Sequence, residues 1–259
     1  MTDFLTELIS VTRERLEERK RELPIEELKD GINLERREGF FSDSLSKKEI
    51  SVIAEIKRAS PSKGMLRPDL DVAAVALSYE RAGASAISVL TEEKYFLGSL
   101  ADLRKARQKC NLPLLRKDFI IDSYQIWEAA AAGADAVLLI VTILSREDLI
   151  KLMDEAESAG LDVLVEVHDL KNLETAKEVG ASIVGINNRD LTTFNVNPRT
   201  CLDLQEKVPK GVISVAESGI KGKSDVAMMK EAGFDAVLVG ETLMRSENPE
   251  YALRDLLSI

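Results

Sequence analysis

Charged residues interrupt the apolar runs of this chain at a few places, and chemistry is possible there. The run V-I-A-E-I-K (52–57) carries Glu55 and Lys57 two positions apart. On an extended strand, residues two apart share a face. A carboxylate and an ammonium therefore point together into whatever the strand covers, at a desolvation cost that a plain core has no reason to bear. Other apolar runs end the same way. L-P-L-L-R-K-D (112–118) brings Lys117, and D-V-L-V-E-V (162–167) brings Glu166. S-I-V-G-I-N (182–187) ends in Asn187 with Arg189 just beyond, and G-V-I-S-V-A-E (211–217) ends in Glu217 and is followed by Ser218. Two lysines and three glutamates around one rim shift each other's pKa values and supply both proton donors and acceptors. The alternative, a structural charge network at the mouth of a core, leaves so many buried charges without a use.

Elements must bring these residues together. From residue 49 onward, eight short apolar runs alternate with helical segments; the remaining runs are 86–91, 135–141 and 235–240. Apolar residues at 72, 75, 76 and 79 follow Asp71, and those at 149, 152, 153 and 156 follow Ser145, each a side chain suited to cap a helix. Gly83, Gly133, Gly160, Gly180 and Gly233 stand where helices should stop. Near-continuous apolar strands imply a parallel sheet covered on both faces. The pattern fits an α/β fold, a (β/α)8 TIM barrel over 49–259, whose strand C-termini carry the active site. An open doubly wound sheet would bury the same pattern, but its G-x-G-x-x-G turn is missing.

Two loops stand where such barrels hold phosphate, 216–224 and 239–244. Gly219, Gly222 and Gly240 let the backbone come close to an anion.

Residues 1–48 read as a helical extension packed on the barrel. It has an amphipathic helix over 3–22, a stop at Pro24, a short second helix, and a polar, loop-like 31–48 apart from Phe40 and Phe41. The single histidine, His168, two after Glu166, reads as a hydrogen-bonded structural residue, and Trp127 as packing.

The chain has 259 residues with a formal net charge of −10, against a general nucleic-acid surface. No stretch is long and apolar enough for a signal peptide or membrane span. Cys110 and Cys201 have no paired spacing, so free thiols in a reducing, cytoplasmic setting are expected. One histidine argues against a zinc site. A monomer with at most weak self-association is expected.

Five motifs, E-I-K-R-A-S-P-S-K-G, R-K-D-F-I, V-E-V-H-D, I-N-N-R-D-L and A-E-S-G-I, fall in order on the first, third, fifth, sixth and seventh strands. Together with the helical extension they resemble the indole-3-glycerol phosphate synthase family over essentially the whole chain. The resemblance implies a phosphosugar substrate, 1-(2-carboxyphenylamino)-1-deoxyribulose 5-phosphate. It implies ring closure with loss of CO2 and water, and no metal or organic cofactor. It implies Lys117 as general acid and Glu166 as general base, with Lys57 held by Glu55 on the substrate carboxylate and Asn187 and Glu217 in the catalytic set. Arg189 would line the substrate site. Pro61, Phe96, Phe119, Leu138 and Leu191 would wall the aromatic ring, and Ser60 and Lys63 would ride on a closing lid. Ser218, Gly219, Gly240 and Glu241 would cradle phosphate. Position 241 is Glu where some relatives carry a small residue, so its expected contact is a backbone N–H.

Three rivals remain. A related phosphosugar isomerase needs a Cys or Asp acid–base pair at strand ends and leaves the lysines unexplained. A Schiff-base aldolase would use Lys57 or Lys117 as nucleophile. A non-catalytic phosphate-binding barrel would need neither.

Overall fold

The computed structural model describes residues 3–30, 32, 39–47 and 49–258. Eight parallel strands close into a barrel in sequence order: β1 (Ser51–Ile56), β2 (Ala86–Leu90), β3 (Leu114–Lys117), β4 (Ala136–Ile140), β5 (Asp162–Val167), β6 (Ile183–Asn187), β7 (Ile213–Glu217) and β8 (Ala236–Val239). Closure comes from β8 lying against β1, with Ala54 level with Val239. Helices cross back between the strands, as parallel pairing requires. Asp71 caps the helix Val72–Ala82 by accepting from Ala74 N, and Ser145 caps Arg146–Ser158 through Asp148 N. The five glycines expected at helix stops all have positive φ.

Period-two alternation sorts the strands' side chains. One set faces the helices and forms the larger buried cluster, with Val52, Ala54, Val137, Leu139, Val165 and Val237 among its members. The other set fills the barrel. Ile53, Leu115, Leu164 and Val215, on the four odd-numbered strands, belong to one apolar cluster inside it. Two residues further on, the same strands present Glu55, Lys117, Glu166 and Glu217. Such layers, drawn from alternate strands, are how these barrels pack.

Ahead of the barrel lie α1 (Asp3–Glu22), α2 (Ile25–Asp30) and α3 (Phe40–Leu45). Leu5 and Leu8 of α1 join the inner cluster, while Leu16 of α1 and Leu28 of α2 join the outer one. The helix α3 departs from the loop expected over 31–48; residues 31, 33–38 and 48 of that stretch lie outside the described residues. Its cap comes from far along the chain. Asp162 Oδ2, at the start of β5, accepts from Phe41 N at 3.0 Å and Ser42 N at 2.9 Å. A six-residue helix capped from β5 leaves no local signature, whereas Phe41 and Leu45 are fully buried among the inward residues. Among the described residues no helix is long and apolar enough to cross a membrane.

Candidate active site

The C-terminal ends of the strands open into a cavity of about 820 Å³ including its mouth. Pairing register sets the charged residues around its floor. Lys117 is level with Leu90, Glu166 with Ile140, and Glu217 with both Asn187 and Leu238. The Lys117 ammonium donates to Glu166 Oε2 at 2.9 Å and Glu217 Oε2 at 3.0 Å. Glu55, nearly fully buried, is ion-paired with Lys57. Both lysines and all three glutamates line the cavity.

Burial alone would lower the Lys117 pKa, but the carboxylates of Glu166, Glu217 and Glu55 outweigh it and hold the ammonium well above its ordinary range. Two carboxylates sharing one cation cannot be equally ionised. Burial opposes the Glu166 charge, yet Lys117 and His168 bring its pKa well below the usual range. Burial, together with the Glu166 charge, drives Glu217 upward. Its Oε1 is shielded and has no hydrogen-bond partner among the described residues. One carboxylate is thus a ready base beside a charged acid.

Two glycines make room for these acids. A Cβ on Gly185 would lie 2.2 Å from Glu217 Oε1, and one on Gly240 would lie 2.1 Å from Glu55 Oε1.

Above the charged floor, Phe96, Phe119, Leu138 and Leu191 line the cavity, with Phe96 and Phe119 ring centroids 6.4 Å apart. Leu90, Ile140 and Leu238 add to this wall and were legible only as core. Ser218, Gly219, Gly240 and Glu241 line the same cavity. Ser218 has φ 65°, a left-handed conformation unusual for a residue with a side chain. Asn188 pins that turn by donating to the Ser218 carbonyl at 3.0 Å. Among the described residues no backbone acceptor takes the N–H of Gly219, Gly240 or Glu241. Gly222 is different: its N–H and that of Lys221 donate to Asp225 Oδ2. The expected anion contact at Gly222 therefore gives way to a helix cap.

Asn187 and Arg189 both line the cavity, and Asn187 Oδ1 accepts from Arg189 N at 3.0 Å. Arg189 reaches Ser62 Oγ at 3.2 Å and stands 3.9 Å from Glu241 Oε2. Ser60 and Pro61 do not line the cavity. They sit on a small hairpin, Ala59–Ser60 against Gly64–Met65, beside it. Lys63, at the tip of that hairpin, lies 3.8 Å from Glu241 Oε1.

Sequence reasoning missed Arg116. It faces away from the cavity and is 1% exposed. It donates to Asp118 Oδ2 (2.9 Å), Thr91 Oγ1 (3.1 Å), the Gln125 carbonyl (2.7 Å) and Glu128 Oε2 (3.3 Å). Arg19 of α1 donates to Glu128 at 2.6 Å, so the extension is tied to the strand that carries Lys117. A cation beside Lys117 in an apolar strand was the available signal. The rival chemistries find little support here. Cys201 is buried on a helix and donates to the Ile186 carbonyl, and a Schiff-base lysine needs a lowered pKa.

The family model for indole-3-glycerol phosphate synthase matches residues 5–256. The chain belongs to the indole-3-glycerol phosphate synthase family. Named relatives in that family include those of Streptomyces griseus, 45% identical over 98% of this chain and 94% of the relative, and Carboxydothermus hydrogenoformans, 44% identical over 98% and 100%. The relative from Lachnoclostridium phytofermentans is 41% identical over 99% of both. Among solved structures, a tryptophan synthase alpha-subunit mutant from Pyrococcus furiosus aligns with a TM-score of 0.62 at 13% identity, over 81% of this chain and 98% of that one. A thiamine phosphate pyrophosphorylase from the same organism gives 0.60 at 20%, over 80% and 93%. At those identities the two structures share the barrel fold with this family member.

Proposed function

We propose that the chain is a carboxy-lyase that closes the indole ring of 1-(2-carboxyphenylamino)-1-deoxyribulose 5-phosphate, with loss of CO2 and water, as a step of tryptophan biosynthesis. The observation that carries this reading is the Lys117 ammonium held between Glu166 and Glu217 in a cavity that Gly219, Gly240 and Glu241 also line. Family membership gives that geometry its substrate.

The phosphate binds at Ser218, Gly219, Gly240 and Glu241 through backbone N–H groups, a natural anion cradle. The carboxylated aromatic ring packs among Phe96, Phe119, Leu138 and Leu191. Lys57, held by Glu55, meets the ring carboxylate. The ring carbon attacks the ketone carbon, and Lys117 protonates the oxygen as it gains charge. CO2 leaves from the ring carbon that made the attack, and the electron pair of the broken C–C bond restores the aromatic ring. The new hydroxyl then departs as water after protonation, and Glu166 removes the proton that completes the indole. Asn187 and Arg189 orient the sugar. The hairpin with Ser60, Pro61 and Lys63 closes over the ligand as a lid.

The extension and barrel act as one catalytic unit, divided at 1–48 and 49–259. The expected setting is cytoplasmic. Mixing the purified chain with the carboxyphenylamino substrate should give indole fluorescence; a flat trace would overturn the reading. Inorganic phosphate should raise the apparent Michaelis constant at constant ionic strength, and an unchanged constant would remove the cradle.

A further inference from the structure

His168 is the only histidine and has no task in the chemistry above. It follows β5 directly, and its side chain is largely buried. Nε2 lies 3.2 Å from Glu166 Oε1, yet it is shielded and makes no well-formed hydrogen bond among the described residues. Long or bent contacts of this kind are common where a proton is passed only during turnover. Nδ1 points the other way, 3.3 Å from Thr142 Oγ1, an exposed hydroxyl. Asn172 Oδ1 fixes the arrangement by accepting from Thr142 Oγ1 at 3.0 Å and from His168 N at 3.2 Å. Glu166 Oε2 in turn accepts from Lys117. A line of polar groups within 3.3 Å of one another therefore runs from solvent to the acid, closed for proton passage when the Thr142 hydroxyl turns from Asn172 to the ring: Thr142, His168 Nδ1, His168 Nε2, Glu166, Lys117.

The proposed reaction requires such a line. The substrate enters as a carboxylate and that group leaves as neutral CO2. Charge balance then demands one proton from solvent per cycle: carboxylate plus H+ gives product, CO2 and water. Within the site, one proton goes to the ketone oxygen and one to the departing hydroxyl, while Glu166 recovers one. Two are given and one returns, so one must enter from outside. A closed lid would shut out the bulk water that could otherwise bring it.

We propose that His168 is the proton inlet of this site. It takes a proton at Nδ1 from the Thr142 side and releases another from Nε2 to Glu166, which passes it to Lys117. No bond between heavy atoms changes in that exchange, and the imidazole ends as it began apart from its tautomer, which is restored when the ring turns over. The inference rests on the reaction assigned above. The groups facing the imidazole are Glu166 on its own strand, Lys117 from β3, Glu217 from β7 and Asp190 from the loop after β6. Burial lowers the pKa of His168, but the Glu166 carboxylate outweighs it and the net direction is upward.

His168→Gln keeps an amide in reach of the same partners but carries no titratable proton. Its kcat should fall about tenfold or more, with KM within about threefold of the parent. His168→Ala should regain rate on adding imidazole. Because the chain has one histidine, its ring proton resonances give the pKa directly, and the matching limb of the kcat–pH profile should vanish in His168→Gln. Parental kcat in the Gln variant across about pH 6 to 9 would overturn the inlet, as would an Ala variant that melts lower and ignores imidazole. The parent chain separates the two failures. If it forms no indole, the assigned reaction fails; if it forms indole while His168→Gln keeps pace, only the inlet fails.

Discussion

Arg116 and Lys117 are neighbours on β3, and the strand turns one outward and the other inward. The outward guanidinium is fully matched: Asp118, Glu128, Thr91 and the Gln125 carbonyl take its donors, and Arg19 balances Glu128. The inward ammonium is not. It sits among three carboxylates in a cavity that Lys57 and Arg189 also line, and among the described residues Glu217 Oε1 has no hydrogen-bond partner. Buried charge in itself does not mark a site. Imbalance does, because an unmatched carboxylate or ammonium is held in readiness for a group that arrives from outside.

Replacing each cation should break this contrast in opposite ways. Lys117→Ala should cut turnover by about a thousandfold while ligand affinity stays within about tenfold, since the acid acts in the transition state. Near-normal kcat would make Lys117 as structural as its neighbour. Arg116→Met should instead cost stability, about 3–5 kcal/mol, because Asp118 and Glu128 lose their buried partner. Chemical denaturation measures that cost, and turnover per folded molecule should fall far less than in Lys117→Ala. Glu166→Gln should slow turnover about a hundredfold in single-turnover assays, with the fold intact.

Smaller changes sharpen the contrast. Gly185→Ala forces the Glu217 carboxylate aside, because its Cβ would lie 2.2 Å from Oε1. Turnover should drop about tenfold, a typical penalty for a displaced catalytic contact. The weakest effect is on pH and stability. Glu217 rises from its ordinary 4.5 to about 8 in the folded chain. Between those values the folded state binds more protons than the unfolded one, so this group lowers stability as pH climbs. Glu217→Gln should therefore flatten the fall in melting temperature over that window. Lys117 has the same sign in a higher window: raised on folding, it adds stability below its unfolded value of 10.5 and loses it at still higher pH.

Much of the fold was legible because both periodicities are strong in this chain. The apolar strands, the Asp71 and Ser145 caps and the glycine stops all depend on neighbours a few residues away. The rim of Glu55, Lys117, Glu166 and Glu217 was legible too, since an inward charge breaks an apolar run visibly. What escaped depends on distant partners. The α3 cap comes from Asp162, Arg116 is balanced partly by Glu128, and Gly222 surrenders its N–H to Asp225. Ser60 and Pro61 stand beside the cavity because a two-residue hairpin folds the first loop back on itself, which no spacing rule gives.

The closure of β8 on β1 has a consequence for how the chain is made. Glu55 leaves the ribosome early, and the glycine that gives its carboxylate room comes nearly at the end. Until then the first strand has an open edge and its charges have no wall. Pairing across so long a span is slow, and unfinished barrels of this kind invite association with one another. Chaperone dependence during synthesis should thus rise sharply for chains cut just short of residue 240, while full-length chains refold unaided.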